Sequence, residues 1–134
     1  MGILSGARPN GLGWHPGGFK PCPGKPNCVS STVAPADTQH HIAPLTFSGA
    51  PGAAWKRLCA AIRQRPRVTV VTETGGYLHA EFKSGLMGYV DDAEFFLDAR
   101  AGAIQARSAA RLGVRDFGVN RARIESIRAT LAQS

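Results

Sequence analysis

No run of apolar residues in this 134-residue chain approaches the roughly 18 needed to cross a bilayer, so no membrane-spanning helix is expected. The opening Met1-Gly-Ile-Leu-Ser-Gly6 has no charged start leading into an apolar stretch, and so no signal-peptide pattern as written. That points to a cytoplasmic protein, or to a periplasmic or organellar one if a leader precedes the sequence. Acidic residues are scarce, nine against sixteen basic ones, which leaves a formal charge of +7. Lysine is scarcer still, with four beside twelve arginines, and arginine suits fork-like recognition of carboxylate or phosphate. No zinc-finger, helix-turn-helix or RNA-binding aromatic signature accompanies this charge. Nucleic acid is therefore not the expected partner; small anions or acidic surfaces are.

Three cysteines leave one over from any pair. The remaining composition is ordinary for a folded protein, and the length fits one domain able to bury roughly two-thirds of its unfolded surface. Residues 1–50 are rich in Gly and Pro yet carry apolar anchors at Ile3, Leu4, Leu12, Trp14, Phe19, Val29, Ile42, Leu45 and Phe47. This predicts an irregular N-terminal arm wrapping a core formed by residues 51–134. Trp55, Leu58, Cys59 and Ile62 then fall on one helical stripe that ends near Pro66. Arg67–Thr72 reads as a β-branched strand, and Gly75-Gly76 as a turn. Tyr77–Lys83 alternates, with Leu78, Ala80 and Phe82 on one face and His79, Glu81 and Lys83 on the other. Ser84-Gly-Leu-Met-Gly88 reads as a hairpin loop or bulge. Tyr89–Asp98 and Ala103–Arg111 are further strands, and Asn120–Ala132 a last helix with Ile124, Ile127 and Leu131 as its stripe. Short connections imply an antiparallel meander. The expected fold class is α+β: a four-stranded antiparallel sheet with two helices on one face, in a single domain.

The densest local signal is Phe19-Lys-Pro-Cys-Pro-Gly-Lys-Pro-Asn-Cys-Val-Ser-Ser31. Its prolines exclude an ordinary helix or central strand, so it is a rigid loop. Asn27, Ser30 and Ser31 are polar side chains such a loop could display. Cys59 reads as core, which leaves Cys22 and Cys28 with three open roles: metal ligands, a disulfide or redox pair, or simple packing. Their spacing is wider than structural zinc sites use, and the adjacent His40-His41 would point to opposite faces of a strand. A cysteine nucleophile would need His40, His41 or His79 as base. A stable disulfide would be unusual in a reducing cytoplasm. His79, on the polar side of its strand, is expected at the surface; Trp14, Trp55 and Tyr77 could form an aromatic wall for a ligand, although single aromatics in a small domain usually belong to the core.

The acidic block Asp91-Asp92-Ala-Glu94 is the other candidate. Alternation places Asp91 with Tyr89, Phe95 and Leu97, and Asp92 with Glu94, Val90 and Phe96. A carboxylate among core residues must be paired, and the neighbouring strand offers Arg107 and Arg111. One reading is an Asp–Arg network that sets strand register. Another is a polar pocket in which carboxylates do acid–base work while Arg107 and Arg111 hold an anion, with Ser108 beside them. Arg115, Asp116, Asn120 and Arg121 lie where a loop enters the last helix, either as an anion site or, for Asp116 and Asn120, as helix caps.

Gly6-Ala-Arg-Pro-Asn-Gly-Leu-Gly13 and Pro21-Cys-Pro-x-x-Pro-Asn-Cys-Val-Ser-Ser31 are followed by Tyr77-Leu-His-Ala-Glu81 and Tyr89-Val-Asp-Asp-Ala-Glu-Phe95. Arg107-Ser-Ala-Ala-Arg-Leu-Gly113 and Asp116-Phe-Gly-Val-Asn-Arg-Ala-Arg-Ile-Glu125 complete the series. In this order the blocks resemble the bacterial and plastid family called domain of unknown function 1499. That family usually reads Arg-Ser-Ala-Ser-Arg where this chain has Ala110 in place of the second Ser. The family has no settled activity, so the resemblance implies positions and no reaction.

Together these features point to a small soluble module that binds a small anionic ligand or a protein partner without turnover, with no cofactor and no metal. The alternatives are an enzyme using Asp91, Asp92 or Glu94 with Arg107 and Arg111, or a thiol or metal protein built on Cys22 and Cys28.

Overall fold

Apolar periodicity dictates the central elements. The computed structural model describes residues 6–84, 88–113 and 116–133. The expected anchors Ile3 and Leu4, the Gly85-Leu-Met87 part of the hairpin loop, and Arg115 lie outside them. In chain order the elements are β1 (Cys28–Ser30), β2 (Leu45–Thr46), α1 (Pro51–Arg63), β3 (Val68–Glu73), β4 (Tyr77–Lys83), β5 (Val90–Asp98), β6 (Ala103–Ala110) and α2 (Val119–Ala132). Pro51 opens α1, where its missing N–H costs nothing. Trp55, Leu58, Cys59 and Ile62 form its buried stripe, as their spacing requires.

The sheet has six strands rather than four. Its order is β1-β6-β5-β4-β3, with β2 also on β6, and every pairing is antiparallel. The meander β3–β6 follows from the alternation. The two extra strands come from the arm: Cys28–Ser30 pairs with Ala109–Arg107, and Leu45–Thr46 with Ile104–Ala103. They are too short for a periodic signal, yet they cover an edge of β6 that would otherwise present unpaired backbone groups.

Both helices pack on one face. Leu78, Ala80, Phe82, Ala93, Phe95, Ile104 and Ala106 meet Leu58, Ile62, Ile124 and Ile127 there in one apolar core. The other face carries Tyr77, His79 and Glu81 beside Phe96, Glu94 and Asp92, with Arg107 next in register. The arm covers this polar face. The Trp14 ring stacks on Phe96 with centroids 4.1 Å apart and meets Phe19 edge-on at 5.0 Å. Gly18, at φ 115°, lies so close to Thr32 that an added Cβ would sit 2.7 Å from that side chain.

Candidate functional site

The proline-rich loop is closed by a Cys22–Cys28 disulfide, with Cα atoms 5.7 Å apart. Both sulfurs are bonded to each other, so in this state neither serves as nucleophile or metal ligand. Cys59 is free but buried, and burial pushes its thiol up to about 11, which keeps it protonated at neutral pH. Asn27 is buried: its Nδ2 donates to the Gly113 carbonyl at 2.7 Å, and its own carbonyl accepts from Ala110 N at 2.9 Å. Ser30 Oγ contacts Thr32 Oγ1 at 3.1 Å. Ser31 Oγ donates to Gln105 Oε1 at 2.7 Å and accepts from Ala106 N. Apart from Asn27 Oδ1, which is buried without a hydrogen-bond partner among the described residues, these polar side chains bond to the chain itself.

His40 ties this loop to the following turn. Nδ1 lies 2.8 Å from Asp37 Oδ2 and Nε2 2.9 Å from the Lys25 carbonyl, so both nitrogens have acceptors. Burial pulls its pKa down, but the Lys25 carbonyl and Asp37 outweigh it and raise it above 6.5. A raised folded-state pKa contributes stability that is complete below 6.5 and is lost as pH rises through the folded value. Melting temperature is therefore expected to fall as pH goes from about 6 to about 8, and His40→Gln to remove that part of the slope. An unchanged slope in His40→Gln would show that the imidazolium contributes nothing.

On the arm-covered face, Arg111 donates to Asp92 through Nε at 3.0 Å and Nη2 at 2.7 Å, and to Glu81 at 2.7 Å. Arg8 also reaches Glu81, and His79 Nε2 lies 2.8 Å from Asp92 Oδ1. His79 is buried, not at the surface as its polar-face position suggests, because the arm roofs that face. Burial raises Asp92, but His79 and Arg111 outweigh it and hold the carboxyl below its ordinary value. Arg111 is raised by its hydrogen bond to Asp92. His79, Glu81 and Asp92 offer ligand atoms within 4.8 Å of one another, a grouping that could hold a metal ion. The Arg111 and Arg8 guanidinium groups already supply positive charge there. Beside this cluster, Glu94 accepts from Gly13 N and the Tyr77 hydroxyl, each at 2.7 Å, and lies 3.6 Å from Arg107. Arg107 is committed to the arm, with Nε donating to the Lys20 carbonyl at 2.8 Å. These groups latch the arm to the sheet.

Asp91 faces the helices, as alternation requires, but its partner is Arg123 of α2 at 2.9 Å rather than Arg107 or Arg111. Ser108 shares this face, opposite to Arg107, and donates to Asn120 Oδ1 at 2.6 Å. Arg123 also donates to Asn120 Oδ1 at 2.8 Å and lies over the Phe82 ring at 4.6 Å. Asp116 accepts from Gly118 N at 2.9 Å, Asn120 N at 3.1 Å and Asn120 Nδ2 at 2.8 Å. Its carboxylate therefore fills the anion-attracting start of α2. Arg121 donates to the Thr38 and Gln39 carbonyls.

Next to Asp91 a cavity of about 780 Å³ opens between the end of α1, the ends of β4 to β6 and the start of α2. Tyr89, Leu112, Phe117 and Val119, the exposed large hydrophobics among the described residues, all line it. Arg65, Arg67, Lys83 and Arg123 line it too. Arg123 is paired, but no carboxylate among the described residues pairs with Arg65, Arg67 or Lys83. Arg65 Nε is buried without a hydrogen-bond partner. Burial, then the charge of Arg123, lowers the Arg65 pKa. Arg67 and Phe117 adopt left-handed backbone at φ 55° and 54°, a region that costs a side-chain-bearing residue roughly 1–2 kcal/mol.

The family described as a protein of unknown function (DUF1499) matches residues 18–131, nearly the whole chain. The chain belongs to this family. No curated protein and no solved structure matches it. The span matched to DUF1499 holds the disulfide loop, every strand, both helices up to Leu131 and all the cavity residues. The matched span begins after the Gly6–Gly13 block. Of the residues singled out from sequence, Asp91 and Asp116 line the cavity, whereas Asp92, Glu94, Arg107 and Arg111 lie on the opposite face. Arg65, Arg67, Lys83 and Phe117 are not among the candidate residues that the sequence alone points to.

Proposed function

We propose that the protein reversibly binds a small amphipathic anion in the 780 Å³ cavity, without turnover. The apolar body lies against Phe82, Leu112 and Phe117, and the acidic head faces Arg65, Arg67 and Lys83. One observation carries this reading: among the described residues, three cations without carboxylate partners share a cavity with the exposed large hydrophobics. The volume falls within the range typical of small-molecule sites, about 300–1,000 Å³. The lining holds neither His nor Cys, and its two carboxylates are engaged by Arg123 and by the start of α2. That favours holding a ligand over transforming it. The disulfide favours an oxidising compartment, a periplasm or an organelle lumen, over the reducing cytoplasm.

Titration calorimetry with hexyl phosphate, monomeric in solution, tests the reading. Saturable binding is expected, with hexanol binding far more weakly. Arg65→Ala should weaken the phosphate at least about tenfold, the scale of one lost charge-assisted hydrogen bond. Equal affinity in wild type and Arg65→Ala, with the fold intact, would overturn it.

A further inference from the structure

We propose that the mouth of this cavity docks on an anionic phospholipid surface, with Phe117 entering the interface and Arg67 and Lys83 meeting the headgroup phosphates. This rests on the small-anion reading and extends it by naming the source of the anion. Exposure carries the argument. Phe117 is 87 % exposed, Val119 48 %, Tyr89 42 % and Leu112 40 %, and all four border one opening. A single exposed aromatic is unremarkable, but large apolar side chains confined to one mouth mark a surface that meets something apolar. Phe117 is held in left-handed backbone although it touches little, so packing does not account for its identity. Among the described residues Arg65, Arg67 and Lys83 at the same mouth have no carboxylate partner, which gives an apolar centre bordered by positive charge. That is the pattern of a peripheral anchor: apolar side chains at the acyl boundary, Lys and Arg at the phosphates. The net charge of +7 adds long-range attraction to an anionic leaflet.

The polar alternative for such cations, an acidic protein surface, gives no role to an apolar rim this exposed. A lipid supplies both halves of the complement at once. The cavity beneath the rim would take the headgroup of one lipid or the end of a chain, consistent with a volume of about 780 Å³.

Co-sedimentation with large unilamellar vesicles tests this, using phosphatidylcholine alone and phosphatidylcholine with about one-third phosphatidylglycerol. Binding is expected only to the anionic vesicles and should fall as salt is raised. Phe117→Asn should reduce the partition coefficient about tenfold, since it removes an inserted ring. Asn tolerates left-handed backbone, so this variant should melt no lower than wild type. Lys83→Gln should reduce partitioning about fivefold. Lys56→Gln removes the same charge from an exposed position on α1 away from the cavity and should have a smaller effect. Vesicle binding that Phe117→Asn leaves intact, or that Lys56→Gln weakens as much as Lys83→Gln, overturns the docking surface. Hexyl phosphate binding without vesicle binding overturns the membrane source and leaves the small-anion reading standing. Loss of both overturns both.

Discussion

Arg111→Ala is expected to lower the free energy of unfolding by about 3–5 kcal/mol at neutral pH, the scale for removing one partner of a buried ion pair. Asp92 is 1 % exposed and takes hydrogen bonds from Arg111 on both carboxylate oxygens. Without Arg111, among the described residues, its carboxylate keeps His79, and that of Glu81 keeps Arg8. The cost arises mainly from a carboxylate stranded away from water, not from the loss of attraction as such. Acid separates the two. Asp92 and Glu81 both have folded pKa values below their ordinary 3.8 and 4.5. For a depressed carboxylate, the stabilisation is present above the unfolded value and disappears as pH falls through the folded one. The gap between wild type and Arg111→Ala should therefore be largest at neutral pH and narrow as pH falls. The narrowing begins above the ordinary carboxylate range, because burial without Arg111 raises the pKa at which stranded Asp92 takes up a proton. Urea denaturation across that range reads it directly. A difference below about 1 kcal/mol at neutral pH would mean that the arm and sheet do not depend on this latch.

The same cluster shows how far residues alone could take the interpretation. Period-two alternation was enough to separate Asp91 from Asp92 and to put Arg107 and Arg111 on one face, because a strand leaves no other choice. It could not say what lies above either face. Asp91 meets Arg123, on a helix whose rotation over the sheet depends on packing by Ile124 and Ile127. His79 is buried because the arm crosses above it, and an arm held by carbonyls and glycines has no periodic signature. β1 and β2 escape detection for the same reason: two or three residues cannot display alternation, and only pairing with β6 defines them. The cavity is the extreme case. Its walls come from the segment after α1, the ends of three strands and the start of α2, and two of its side chains are placed by left-handed backbone. Arg65 and Arg67 stand close together in the sequence, but nothing in it brings them to Phe117.

Loss of the Cys22–Cys28 bond is the second large effect expected. A closed loop of this length restricts the unfolded chain enough to contribute about 2 kcal/mol. For a domain of this size that corresponds to a melting temperature lower by roughly 6–10 °C. The staple also acts on the folded side. Cys28 begins β1 and Asn27 precedes it, with Asn27 joined to Gly113, Ala110 and, through its carbonyl, Asn120 of α2. Freeing the loop loosens the point at which the arm, β6 and α2 meet, so the measured loss should be at least the entropic value. Cys22→Ser combined with Cys28→Ser should melt at the temperature that wild type shows in dithiothreitol, and adding the reductant to the double variant should change nothing. Cys59 cannot account for the shift, since it is unpaired in both. If reduced and oxidised wild type melt together, proline rigidity and the Asn27 hydrogen bonds alone hold the loop, and the disulfide contributes nothing to the fold.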